Sequence, residues 1–86
     1  MLEAEKLTER IRAALPGALI EVVDLKGTGD HFQAHVVSAA FEGRATIEQH
    51  RLVYASLEEW LESGELHALA LKTYTPAQWK SSGGTR

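Results

Sequence analysis

Apolar residues recur along the chain with two periods, about 3.6 and 2, and the switches between them divide it into elements. Ala4, Leu7, Ile11 and Ala14, with Leu15 beside the last, stand at helical spacing, and charged residues fill most other positions. This predicts an amphipathic helix over 3–15. Pro16-Gly17 stops it, because proline cannot continue the hydrogen-bond ladder and glycine accepts a left-handed turn. Residues 18–24, ALIEVVD, are rich in β-branched and aliphatic side chains and read as a strand. Lys26-Gly27-Thr28-Gly29-Asp30 is the strongest loop signal in the chain. In the HFQAHVVS that follows, Phe32, Ala34 and Val36 alternate with His31, Gln33 and His35. That alternation predicts a half-exposed strand, paired with the first as a hairpin.

Phe41-Glu42-Gly43 reads as a turn. Thr46 then starts a helix, with Gln49 three residues on completing a capping-box pattern. Ile47, His50, Tyr54, Leu57 and Leu61 repeat at helical spacing. Ser56 and Glu59 form a second capping-box pattern inside that run, which predicts a break near 56 and two helices, the second ending at Gly64. Leu66 to Tyr74 reads as a third strand, and its apolar HALAL run suggests burial on both faces. Thr75-Pro76-Ala77-Gln78 is a third cap with proline at the first helical position, opening a turn that carries Trp79. The tail, 81–86, is expected to be disordered, leaving one domain over 1–80. The expected fold class is α+β: an αββααβ order in two layers, a three-stranded mixed sheet with helices on one face.

Composition narrows the chemistry. The chain has 86 residues and no cysteine. So short a chain buries only about 60–65% of its unfolded surface. Disulfides, thiolate zinc sites and a self-sufficient thiolate-held iron–sulfur cluster are all excluded. Nine basic and twelve acidic side chains leave a net charge of −3, which provides no general attraction to phosphate backbones or anionic membranes. No apolar run approaches the roughly 20 residues that span a bilayer. A cytoplasmic protein is the expectation.

Four histidines are the unusual feature. His31 and His35 in one strand would stand about 13 Å apart, too far to share an ion. No HExxH and no helical His-x-x-x-His occurs, so a private zinc site is not expected. There is no GxSxG elbow and no recognisable carboxylate pair, and no catalytic constellation can be named. The Gly27-Thr28-Gly29 loop leads into a strand, so no helix N-terminus faces it as in a phosphate cradle. A non-enzymatic binding module is the expectation. Arg44, Arg51 and Lys72 could form a local basic patch, although the Gly-x-x-Gly clamp of K-homology domains is missing.

The segment Val36-Val37-Ser38-Ala39-Ala40-Phe41-Glu42-Gly43 resembles the VS–x–x–F–x–G segment of the BolA family. The match continues through His50-Arg51-Leu52-Val53-Tyr54, His67-Ala68-Leu69 and Tyr74-Thr75-Pro76 with Trp79, in order and spacing, over about residues 3–80. The short loop ending in Asp30-His31-Phe32 looks most like the short bacterial branch. The resemblance implies a class II K-homology-like fold. It also implies pairing with a monothiol glutaredoxin around a bridging 2Fe–2S cluster, in iron sensing and cluster trafficking. The glutaredoxin and glutathione would supply thiolates, and the isolated chain would hold no cluster.

On this resemblance His67 is the implied cluster ligand; read without it, His67 is a histidine packed at a strand start. Neutral imidazole is the form that binds iron, so cluster binding should weaken at acidic pH. The second implied ligand comes from the hairpin loop. There, related members place cysteine four residues before the phenylalanine, and this chain has Thr28. His31 is the nearby substitute, or a structural histidine of the Asp-His-Phe segment. Thr28, His50 and Arg51 are the expected partner-contact residues. A second copy of the chain is the other association to consider. Some bacterial members are described as DNA-binding regulators of morphology and stress response, for which Arg44, Arg51 and Lys72 would be the contacts.

Overall fold

The computed structural model describes residues 2–81. Helix α1 (Ala4–Ala14) leads into strands β1 (Leu19–Asp24) and β2 (His31–Val37). A short 3₁₀ turn (Ala39–Phe41), helices α2 (Thr46–Ser56) and α3 (Glu58–Ser63), strand β3 (Ala68–Tyr74) and helix α4 (Pro76–Ser81) follow. The sheet runs β1-β2-β3, with β1 antiparallel to β2 and β2 parallel to β3. A hairpin with the loop 25–30 makes the first pairing. The second needs a crossover, and α2 with α3 supplies it. The expected α+β order and mixed sheet are therefore present. No helix among the described residues is long and apolar enough to cross a membrane.

α1 and α2 pack side by side on one face of the sheet. Leu7 and Ile11 of α1, Phe32 and Val36 of β2, Phe41, Val53 and Leu57 share one core with Leu66. Alternation in β2 holds as read: Phe32, Ala34 and Val36 are buried, and His31, Gln33 and His35 on the opposite face are partly exposed. The other face is covered at one end, where Trp79 of α4 packs 5.0 Å from the Tyr74 ring and 6.4 Å from that of His35.

β3 departs from the expectation of burial on both faces. Ala68, Ala70 and Lys72 are exposed, and Leu69 and Leu71 are partly buried on the helix side. β3 is an edge strand paired only with β2, and small alanines make its outer face tolerable in water.

The helix stripe is also turned. Of Ile47, His50, Tyr54, Leu57 and Leu61, only Leu57 is buried; Ile47 is 61% exposed. Gln49, Val53 and Leu57 face inward instead, at an i, i+4, i+8 spacing that includes a polar residue. Gln49 is the reason. Its amide N–H donates to the carbonyls of Phe41 (3.3 Å) and Arg44 (2.9 Å), and its Oε1 accepts from the Thr73 hydroxyl (2.7 Å). A buried amide is tolerated when its hydrogen bonds are made.

That use of Gln49 also displaces the predicted cap. α2 is capped one residue earlier, at Ala45, whose N–H donates to Glu48 Oε1 at 3.1 Å. The break near 56 is present, yet the Ser56–Glu59 cap is not what makes it. Ser56 donates its hydroxyl back to the Val53 carbonyl (2.6 Å), and the chain leaves α-geometry at Leu57. The Thr75–Gln78 box forms as read. Gln78 N–H donates to Thr75 Oγ1 (3.1 Å) and Thr75 N–H to Gln78 Oε1 (2.9 Å). Gly64 ends α3 at φ +85°, a conformation that favours glycine. Ser81 closes α4; the rest of the expected disordered tail, 82–86, lies outside the described residues.

Candidate functional site

The loop between β1 and β2 is organised from its first residue. Asp24 Oδ1 accepts from the backbone N–H of Gly27 (2.8 Å) and of Lys26 (3.3 Å), and Oδ2 accepts from that of Gly29 (3.0 Å). Leu25 N–H donates across the loop to the His31 carbonyl (2.9 Å). Such Asx geometry explains why an aspartate closes a strand just before a glycine-rich segment.

The far end of the loop is stitched to β3. The Asp30 carbonyl accepts from His67 N–H (2.9 Å) and Ala68 N–H (3.0 Å). The parallel register pairs His31 with Ala68, so His67 lies beside Asp30 and His31. The His31 and His67 rings stand 5.2 Å apart at their centroids, tilted by 49°. His67 is exposed and His31 is half-buried.

The polar contacts of this cluster converge on one carboxylate oxygen. His31 Nδ1 lies 2.8 Å from Asp30 Oδ1, and the Thr28 hydroxyl donates to the same oxygen. An ionised carboxylate only accepts, so a hydrogen bond between these two atoms requires the proton on His31 Nδ1. The hydrogen bond from Thr28, then that from His31, hold the Asp30 carboxyl below the usual carboxylate range.

Two imidazoles so placed suit one metal centre. Nitrogen ligands at about 2.0–2.1 Å on a tetrahedral ion put imidazole centroids roughly 5 Å apart. Two donors do not complete such a centre, and no group of three His, Cys, Asp or Glu able to hold an ion occurs among the described residues. The remaining ligands would have to come from outside the chain.

The other sequence candidates lie elsewhere. His50, on α2, sits with its ring 6.2 Å from that of Tyr54 and lines a shallow cleft with Thr46, Leu71, Lys72 and Tyr74. Arg51 lines a different cleft with Glu58 and Glu62. Arg44 turns its guanidinium back onto the Ala40 carbonyl at 3.0 Å. His35 lies on the sheet face opposite α1 and α2, 6.0 Å from the Tyr74 ring, with Gln33 2.9 Å from its Nε2 and its Nδ1 buried without a hydrogen-bond partner. Sequence reasoning missed Asp24 and Asp30. The available signal was their position, one at each end of a Gly-Thr-Gly loop.

The family model described as BolA-like protein matches residues 9–78. The chain is 42% identical over 82 residues to Protein BOLA2 of Arabidopsis thaliana, covering 93% of this chain and 86% of that one. It is 38% identical over 87 residues to the DNA-binding transcriptional regulator BolA of Escherichia coli strain K12, covering 93% and 82%. The crystal structure of a bol-like protein from Babesia bovis matches with a TM-score of 0.84 at 28% identity, over 96% of this chain and 95% of that one.

Proposed function

Because this chain belongs to the BolA family, we propose that it is a non-enzymatic partner of a monothiol glutaredoxin that helps bind or transfer a bridging 2Fe–2S cluster in iron–sulfur and iron homeostasis. The observation that carries the reading is the approach of His31 and His67 to 5.2 Å at an exposed loop of a chain without cysteine. Imidazole replaces thiolate on one iron of Rieske-type centres, so two histidines are a chemically sufficient contribution from one side. The thiolates on the other side come from the glutaredoxin and glutathione. Thr28 is a poor iron ligand; its hydroxyl is engaged with Asp30, which leaves His31 as the second donor. His50 and Arg51 contribute to the partner-facing surface. The working compartment is the reducing cytoplasm.

Anaerobic reconstitution of iron and sulfide on a mixture with a monothiol glutaredoxin and glutathione tests this. A heteromeric complex is expected, with absorption and circular dichroism unlike those of the glutaredoxin homodimer. Absence of association with and without cluster ends the reading.

The name of the Escherichia coli relative supports a second reading, a DNA-binding regulator contacting phosphates through Arg44, Arg51 and Lys72. That reading requires retardation of duplex DNA at physiological salt, with affinity falling steeply as salt rises. Net charge of −3 and the neighbouring carboxylates Glu58 and Glu62 oppose it.

A further inference from the structure

Asp30 touches both candidate ligands by different atoms. Its side-chain Oδ1 lies 2.8 Å from His31 Nδ1, and its backbone carbonyl accepts from the N–H of His67. One residue therefore sets the ring of one imidazole and the backbone of the other. The side chain is itself fixed, because the Thr28 hydroxyl donates to the same Oδ1. The Asp24 carboxylate holds the backbone of the intervening loop at Lys26, Gly27 and Gly29.

We propose that Asp30 is the positioning residue of this site, selecting the Nδ1–H tautomer of His31 so that Nε2 faces outward as a donor, with Thr28 locking the Asp30 carboxylate in place. A ligating imidazole needs its metal-side nitrogen free of a proton. A carboxylate on the other nitrogen supplies that tautomer and orients the ring. Asp30 touches no iron in this arrangement and acts only through His31. Thr28 thereby serves the site through its hydroxyl, without ligation. The inference rests on the cluster-binding reading above for its purpose, and its first test does not depend on that reading.

The first test uses the free, ¹⁵N-labelled protein and long-range proton–nitrogen NMR correlations of the His31 ring at a pH where it is neutral. The wild type is expected to show the proton on Nδ1. D30N, which keeps an oxygen acceptor, should preserve that tautomer, and D30A should shift the ring toward the Nε2–H form. T28V should weaken the preference and T28S should restore it. The second test follows cluster loss to a chelator from the glutaredoxin complex. D30A should speed the loss by about tenfold or more, the usual effect of removing an outer-shell partner, and D30N by much less. A wild-type His31 protonated on Nε2, or a D30A variant with unchanged tautomer and chelator rate, overturns the proposal. If the wild type holds no cluster with glutaredoxin, the functional reading falls, and the tautomer comparison alone decides the role of Asp30. Should D30A fail to fold, the T28V and T28S pair decides it.

Discussion

His31 and His67 face each other at 5.2 Å, one at the first position of β2 and the other just ahead of β3. Parallel pairing of the two strands, His31 against Ala68, makes them neighbours. His67 is exposed and contributes its backbone N–H, not its ring, to that junction. His67→Ala should therefore leave folding stability within about 0.5 kcal/mol, the usual range for surface changes. Urea denaturation checks this. With stability unchanged, an altered cluster spectrum in the glutaredoxin complex reports a lost ligand; an unaltered spectrum removes His67 from the ligand set.

The rotation of α2 is testable by a pair of truncations. Val53 is fully buried, so Val53→Ala should cost about 2 kcal/mol from lost burial and a residual cavity. Ile47→Ala, at an exposed position, should change stability by less than about 0.5 kcal/mol. Equal costs in denaturant titrations would restore Ile47 to the core.

Gln49 ties α2 to the segment before it and to β3. Gln49→Leu keeps the volume and leaves the Phe41 and Arg44 carbonyls and the Thr73 hydroxyl without this partner. The expected destabilisation is about 1–3 kcal/mol, set by the groups left unpaired. Thr73→Val, removing one of these partners, should cost less. Equilibrium unfolding of both variants decides the order.

Asp30 gives the loop a pH dependence of known sign. Hydrogen bonds from Thr28 and His31 hold its carboxyl below the usual range in the folded protein. A group whose folded value is depressed contributes stability that is complete above the unfolded value, about 3.9, and is lost as pH falls through the folded value. The contacts of Asp30 with Thr28 and His31 should therefore persist at pH 5 and loosen only below about pH 4. Chemical shifts of Thr28, Asp30 and His31 followed through acid titration measure this. Loosening that begins at pH 5 or above would contradict it.

Local patterns carry much of this protein. The helix over 3–15, its stop at Pro16-Gly17, the hairpin, the inward Phe32, Ala34 and Val36, and the Thr75–Gln78 cap all depend on residues a few positions apart. Periodicity and turn chemistry read such features directly. The spaced segments ending at Trp79 likewise point to the family from sequence alone. Three features needed the assembled molecule. Gln49 replaces Ile47 and Tyr54 on the inner side of α2 because the carbonyls of Phe41 and Arg44 and the hydroxyl of Thr73 offer it hydrogen bonds that exist only after packing. β3 is half-exposed because strand order leaves it at an edge, which an apolar run of its own length does not reveal. The approach of His31 to His67, with Asp30 in contact with both, follows from a parallel register that the sequence brings about only through the α2–α3 crossover. Side-chain period and capping are local energies, whereas register and edge position are properties of the whole sheet.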